Sequence, residues 1–367
     1  MGEVCSFEYG KGLTKESRDE TGPYNVFGSN GIVGKHTQYL VKKPCIIIGR
    51  KGAAGEVHLS LSPCWPIDTT YFVRQEEAID LKFLFLQLKS LQLTSLDKST
   101  AIPGLNRNDA YGKDFVLPPL PEQHRIVTKI EELFSQLDNG IAQLKTAQAQ
   151  LKVYRQAVLK WAFEGKLTNA GVKEGELPEG WRWVKIGEVA NSLDHLRKPI
   201  NKEERQKRKG EIPYYGANGR TGWIDDYLFD EPLILVVEDE TFTAREIPFS
   251  YKITGKSWVN NHAHILKPKE DLDIDYLNYQ LAYYPFLPLT TGTTGRKKLT
   301  KNALINAPFR ICSLSEQHRI VQEIESRLSV CDKLEESIGQ GLQQAEALRQ
   351  SILKRAFEGK LVGREAG

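Results

Sequence analysis

Glu122-Gln-His-Arg-Ile-Val127 recurs as Glu316-Gln-His-Arg-Ile-Val321, 194 residues further along the chain. The same spacing carries Arg155-Gln156 onto Arg349-Gln350, and Ala162-Phe-Glu-Gly-Lys-Leu167 onto Ala356-Phe-Glu-Gly-Lys-Leu361. No insertion or deletion is needed between these anchors, so the stretch is duplicated, and an internal repeat governs the reading of everything around it.

Within the repeat, Pro121 is a favourable first-turn residue. Apolar side chains then fall at Ile126, Ile130, Leu133, Leu137, Leu144, Leu151, Tyr154, Val158 and Trp161. With Gly140 and Ala147 counted as small seam positions, this is a heptad stripe, the mark of helices packing along their length. Its repeat runs Ile320, Ile324, Arg327, Cys331, Leu334, Ile338, Gly341, Ala345, Leu348, Ile352 and Arg355. Each helix would be roughly 60 Å long, with Gly165 and Gly359 placed for left-handed C-terminal caps. The simplest partner for one stripe is the other, and antiparallel pairing puts the flanking modules at opposite ends. Asn139-Gly140 and Gly339-Gln-Gly341 are expected bends. A plain dimerisation arm would show the same heptads, but gives no reason for two modules to share one arm length.

The modules upstream of each helix match more loosely. Phe27-Gly28-x-Asn30-Gly31-x-x-Gly34 matches Tyr215-Gly216-x-Asn218-Gly219-x-x-Gly222 at a spacing of 188, Gly2-Glu3-Val4 matches Gly187-Glu188-Val189 at 185, and Trp65 and Trp258 stand 193 apart. Helix length was held while module content diverged. Cys45-Ile-Ile-Ile-Gly49 and Leu233-Ile-Leu-Val-Val237 read as buried strands, and Leu81–Leu88 and Ile274–Leu281 as matching apolar helices. Gly, Asn and Pro punctuation leaves much of each surface to loops.

The chain has 367 residues, 40% hydrophobic and 26% charged, as expected of a globular protein with room for two cores. No apolar run approaches a membrane span and the N-terminus lacks a signal-peptide pattern. Five scattered cysteines without a C-x-x-C pair read as reduced thiols. The net charge of +3 is weak support for nucleic-acid binding. Basic residues do cluster, at Arg197, Lys198, Lys202, Arg205, Lys207, Arg208 and Lys209, and at Arg296, Lys297, Lys298 and Lys301. Either run could be a solvated loop.

No catalytic motif stands out. Gly49-Arg-Lys-Gly-Ala-Ala-Gly55 lacks the nucleotide-binding G-x-x-x-x-G-K-[ST] spacing, leaving a basic loop approaching a DNA backbone or a strand-connecting turn. Asn306-Ala-Pro-Phe309 is faintly like an amino-methyltransferase motif, but its repeat counterpart, Gly112-Lys-Asp-Phe115, is not. No glycine-rich S-adenosylmethionine loop accompanies it. His262 and His264 lack the further ligands a metal site needs.

The quoted residues resemble the specificity subunits of type I restriction–modification systems. The resemblance is carried by Leu120-Pro-Glu-Gln-His-Arg-Ile-Val127, Leu314-Ser-Glu-Gln-His-Arg-Ile-Val321, the two Ala-Phe-Glu-Gly-Lys-Leu ends and Leu177-Pro-Glu-Gly-Trp-Arg-Trp-Val184. Ile48–Gly55 through Trp65-Pro-Ile-Asp-Thr-Thr70 is similar to a target-recognition domain of that family. The match covers nearly the whole chain. It departs in the first module, which has no counterpart of Leu177–Val184: either that strand is lacking or the C-terminal tail supplies it.

The resemblance implies an α+β fold, with two pseudo-twofold-related α/β target-recognition domains separated by two long antiparallel coiled-coil helices. The expected divisions are a first recognition domain over 1–120, a helix over 121–166, a linker over 167–180, a second recognition domain over 181–314, a helix over 315–361 and a tail over 362–367. It implies a non-catalytic, cytoplasmic protein with no membrane partner. Expected partners are double-stranded DNA, two methyltransferase subunits and, in the full nuclease, restriction subunits. S-adenosylmethionine, ATP and magnesium would belong to those subunits and base flipping to the methyltransferases. Each domain would read half of a bipartite site, with the helices setting the gap. The rival reading is a two-headed coiled-coil scaffold that binds no DNA.

Expected DNA contacts are Arg50, Lys51, Thr69, Thr70, Tyr71 and Lys98 in the first module. In the second they are Arg220, Thr241, Arg245, Asn260, Asn261, Lys297 and Lys298. Backbone contacts would set register and base-edge contacts sequence. Partner docking is expected at the residues alike in both repeats, as twofold-related partners require: Glu122, Gln123, His124, Arg125 and Phe163, with Glu316, Gln317, His318, Arg319 and Phe357.

Overall fold

A computed structural model describes residues 1–97, 103–169, 171–240, 248–293 and 297–362. The chain divides into two compact units, one of residues 1–145 with 339–367 and one of residues 146–338. The division passes through both long helices, so each unit holds one module and a portion of each helix. The sequence had set the helices apart as segments of their own.

The first unit contains strands β1 (Glu8–Tyr9), β2 (Tyr24–Gly28), β3 (Gly31–His36), β4 (Cys45–Gly49), β5 (Val57–Ser60), β6 (Cys64–Pro66) and β7 (Thr70–Arg74). Helices α1 (Leu81–Ser90) and α2 (Arg107–Tyr111) follow, and then α3 (Leu120–Phe163) begins. One sheet has the order β1-β7-β4-β5 and the other β3-β2-β6, with β2 parallel to β6. β4 is buried at all five positions because it is covered on both faces. Alternate side chains divide accordingly: Ile46 and Ile48 join the core with α1, while Cys45 and Ile47 face Phe27, Val41, Cys64 and Phe72.

The second unit begins with β8 (Arg182–Lys185), α4 (Ile186–Val189), β9 (Ala190–Ser192) and α5 (Lys202–Lys207). Next come β10 (Ile212–Gly216), β11 (Gly219–Ile224), β12 (Phe229–Asp230), β13 (Leu233–Val237), β14 (Asp239–Glu240) and β15 (Ser250–Ile253). β16 (Lys256–Val259), β17 (Ala263–Pro268), α6 (Ile274–Ala282), β18 (Lys297–Lys298), α7 (Lys301–Asn306), β19 (Pro308–Ile311) and α8 (Leu314–Phe357) complete the order.

The sheets repeat the plan of the first unit, with β9-β17-β13-β15 in one and β11-β10-β16-β12 in the other, and β10 parallel to β16. Even the irregularities correspond. The first hairpin shifts register between Val26 and Phe27, the second between Tyr214 and Tyr215. The Trp65 indole donates to Lys11 O at 2.9 Å and the Trp258 indole to Lys198 O at 2.8 Å. One topology has therefore been kept under diverged sequence. The edge strand β12 and the pairs β14–β18 and β8–β19 have no counterpart strands: opposite β19 the first unit has no strand over 114–117, and its tail residues Leu361 and Val362 contribute side chains to the core instead.

Both long helices span 44 residues. Both remain helical through the expected weak points Asn139-Gly140 and Gly339-Gln-Gly341. Gly165 and Gly359 take φ of +77° and +70°, the expected left-handed caps. In the first unit the start of α3 meets the end of α8, with Ile126 and Ile130 sharing a core with Ile352, Leu353 and Ala356. In the second the end of α3 meets the start of α8, with Val158, Ala162 and Phe163 beside Ile320 and Ile324. The pairing is antiparallel in each unit.

The stripe is narrower than its heptads imply. Between Ile324 and Ile352 of α8 one position per heptad is buried (Ile324, Cys331, Ile338, Ala345, Ile352), whereas Leu334 and Leu348 are 48% and 50% exposed. In α3, Tyr154 and Trp161 are also exposed, while Leu159 and Phe163 are buried.

Candidate nucleic-acid interface

In the first unit the loop after β4 is held as a rigid platform. Arg50 and Lys51 both donate their backbone N–H groups to Thr69 O, at 2.9 and 3.1 Å. Gly52 N–H reaches Pro103 O at 2.9 Å, and Leu105 N–H returns to Arg50 O at 2.9 Å. Gly55, at φ +83°, leaves no room for a side chain, because a Cβ would lie 2.3 Å from Thr94 N. Gly49 and Gly55 thus serve close packing, Gly52 supplies a left-handed turn at φ +82°, and the loop carries the two basic side chains.

Those side chains border a recess of about 370 Å³ shared with Tyr9, Tyr71, Asn106, Arg107 and Asn108. Its floor is aromatic: Tyr9 meets Tyr71 at 5.1 Å, and the buried Phe7 backs them, 5.7 Å from Tyr71 and 5.2 Å from Tyr111. Arg50 and Arg107 both lie against the Tyr9 ring, at 5.4 and 5.5 Å from its centre, and Arg107 also contacts Tyr111 at 5.8 Å. Arg50 donates from Nε and Nη2 to Asp68 O, at 3.1 and 2.5 Å. Among the described residues Arg50, Lys51 and Arg107 form no ion pair with a carboxylate. Three uncompensated cations on an aromatic floor suit an anionic ligand.

Thr70 and Tyr71, two expected contacts in this module, are buried within the fold. Thr70 is fully buried and its hydroxyl donates to Ile67 O at 2.7 Å. Thr69 serves through its backbone carbonyl. Tyr71 is 3% exposed and gives its hydroxyl to Leu105 O, so it belongs to the floor. Tyr9 and Arg107 were missed because they lie far from the Arg50-Lys51 loop in sequence. Lys98, Thr241 and Arg245 lie outside the described residues.

The second unit builds its corresponding edge differently. β14 pairs with β18, Asp239 opposite Lys298 and Glu240 opposite Lys297. Behind this ribbon lies a buried polar network. Glu238 pairs with Arg197 and takes Lys298 Nζ at 3.0 Å. His264, 1% exposed, meets Asp194 Oδ2 from Nδ1 at 2.6 Å and Leu299 O from Nε2 at 2.8 Å. Both ring nitrogens are thus engaged within the network. Burial pushes the Asp194 and Glu238 carboxyls up. The His264 hydrogen bond and charge at Asp194, and the Arg197 hydrogen bond with the His264 charge at Glu238, more than offset this and hold both below their ordinary values.

Lys298 is therefore partly neutralised, while Lys297, among the described residues, reaches Gly292 O at 3.4 Å. Arg220 is exposed, against the Trp223 ring at 4.3 Å, and Asn261 is exposed. Asn260 is 9% exposed and its carbonyl takes His262 N–H at 2.8 Å, a turn-forming role in place of the expected contact. The His262 ring is spent on Asp239 at 2.8 Å.

The Glu-Gln-His-Arg motif joins each module to its helix. Gln123 and Gln317 are 1% and 0% exposed. Gln123 accepts Asp80 N–H and donates to Pro118 O and Ala78 O; Gln317 accepts Asp273 N–H and donates to Asp271 O and Cys312 O. Asp80 and Asp273 are themselves the N-caps of α1 and α6, and His124 and His318 each lie 3.6 Å from the cap carboxylate. Phe163 packs on Tyr276 and Phe357 on Phe83. The two glutamines and two phenylalanines are thus committed within their own units, which corrects their expected place on a docking face. Glu316 binds Thr168 and Asn169, and Arg319 pairs with Glu316 at 3.0 Å. Glu122 is half-buried, whereas His124, Arg125, His318 and Arg319 are exposed.

The family profile described as "Type I restriction modification DNA specificity domain" matches residues 1–152 and 178–344. The putative type I restriction enzyme specificity subunit S.HindORF215P of Haemophilus influenzae is 34% identical over 144 residues, 39% of this chain and 36% of that protein. The EcoDI specificity subunit of Escherichia coli is 22% identical over 395 residues, 98% of this chain and 87% of that one. The chain thus spans about a third of the first relative's length and most of the second's. The HsdS subunit from Thermoanaerobacter tengcongensis shares the fold with a TM-score of 0.60 at 21% identity, over 98% of this chain and 96% of that one. A chain solved in work on assembly and conformational transition of the type I R-M system gives 0.73 at 21% identity, over 98% and 97%. The profile covers both modules and most of both helices, so the chain belongs to the type I restriction–modification DNA specificity family, a family of non-catalytic specificity subunits.

Proposed function

We propose that each module reads one half of a bipartite site on double-stranded DNA, and that the two helices fix the gap between the halves. The observation that carries this reading is one topology built twice, each copy joined to a 44-residue helix through the same buried glutamine. Rigid joints and equal helices suit a spacer, and diverged surfaces on one scaffold suit two different half-sites. Lys and Arg would hold phosphates and thereby set register.

Methyltransferase subunits dock, in this reading, on the apolar positions that the helix pairing leaves exposed. These include Leu348 in the first unit and Val153, Trp161 and Leu334 in the second, together with the exposed Arg125 and Arg319. Restriction subunits join that assembly, and S-adenosylmethionine, ATP and magnesium reside on the partners.

The test is binding of the full chain to duplex DNA in the presence of methyltransferase subunit, measured across salt concentrations. Sequence-dependent binding that weakens steeply with salt supports the reading. Absence of duplex binding with the partner present favours the two-headed scaffold.

A further inference from the structure

The recess in the first unit has a shape that restricts its ligand. A side chain that reads base edges must protrude into a groove. A concave site instead receives what projects from the duplex, and that is the phosphate ridge. Arg107 is half-buried and braced between the Tyr9 and Tyr111 rings, with Nη1 directed at Phe7 O at 3.4 Å. Among the described residues its Nε and Nη2 have no hydrogen-bond acceptor. Arg50 has spent Nε and Nη2 on Asp68 O, which leaves Nη1. Lys51 adds a point charge at the rim. A bidentate guanidinium edge, a single donor group and an ammonium suit the oxygens of one phosphodiester.

We propose that Arg107, Arg50 and Lys51 form a backbone-phosphate clamp, with Tyr9 as the positioning residue that holds both guanidinium groups. The clamp rests on the DNA-reading function proposed above, and it assigns these residues to affinity and register, not to base choice. It also gives a DNA role to the Tyr9 and Arg107 segments, which approach the Arg50-Lys51 loop only in the folded module.

The test uses the full chain with methyltransferase subunits, on duplexes that contain or lack the methylated site. Arg107→Ala should weaken binding to both by the same factor, about 10- to 100-fold for one charge-assisted contact. It should lower the slope of log affinity against log salt by about 1 and leave the set of methylated sequences as in wild type. Arg107→Lys should keep the salt slope and recover part of the affinity. Tyr9→Ala should weaken binding in the same uniform manner, and thermal melting of each variant separates this from misfolding. Relaxed choice at one base position with Arg107→Ala would make Arg107 a base reader and overturn the clamp. Unchanged affinity in a folded Arg107→Ala chain would overturn it equally. Failure of the wild-type assembly to bind either duplex would instead overturn the proposed function.

Discussion

Arg155 meets Asp332 at 2.6 Å in the second unit, and the repeat equivalents of both residues, Arg349 and Asp138, form the matching pair in the first. The reciprocity is what antiparallel pairing of a duplicated helix produces: each arginine finds the acid that its own equivalent's partner repeats. Arg155 also reaches Glu335 at 3.0 Å.

These pairs are solvent-facing on the acidic side, with Asp332 and Asp138 side chains 69% and 60% exposed. Their contribution is accordingly small. Arg155→Ala should cost no more than about 1 kcal/mol in urea unfolding, less at high salt. The charge swap Arg155→Asp with Asp332→Arg should regain most of the loss, and a double-mutant cycle measures this directly.

The buried glutamines are more consequential. Gln317→Ala would leave Asp273 N–H and the Asp271 and Cys312 carbonyls unsatisfied in a buried joint. Each orphaned group costs about 1–3 kcal/mol, so Gln317→Ala and Gln123→Ala should each destabilise their own unit far more than Arg319→Ala does. Thermal unfolding of the three variants checks the ranking.

The second unit should lose stability on acidification through its buried network. Because the Asp194 and Glu238 carboxyls are held below their ordinary values, they stabilise the fold above about pH 4. That contribution is lost as pH falls through their folded-state values. Glu238→Ala would remove the nearer of the two carboxylates beside Arg197, which keeps Asp194 at 3.6 Å, and should cost about 1–3 kcal/mol at neutral pH. Asp194→Asn should flatten the acid limb of the pH–stability curve, as read by denaturant titration from pH 3 to 7.

Much of this architecture was legible because duplication converts a weak pattern into a repeated one. The 194-residue register fixed two helices of one length, and short uninterrupted apolar runs marked β4 and β13 as buried strands. The middle of the seam is narrower than expected, since heptad spacing marks Leu334 and Leu348 as core without saying that between Ile324 and Ile352 the pairing buries only one position per heptad. Gln123 looked like surface because a polar residue in a motif carries no sign of burial, and its role depends on the cap of α1, 43 residues earlier. Tyr9 and Arg107 join Arg50 only through the β1–β7–β4 order, and no local spacing encodes that. Thr70 and Asn260 have the right chemistry for bases, but turn bonds consume both.

The ruler is the central claim, and mapping methylated adenines tests it most directly. DNA from cells expressing the full chain with its methyltransferase subunits should carry methylation at two short half-sites separated by a constant unspecified gap. Insertion or deletion of residues within α3, between Leu144 and Leu151, should change that gap and leave both half-site sequences as they were. A variant that assembles and methylates with the gap unaltered, or with a half-site changed, would contradict the assignment of reading to the modules and spacing to the helices.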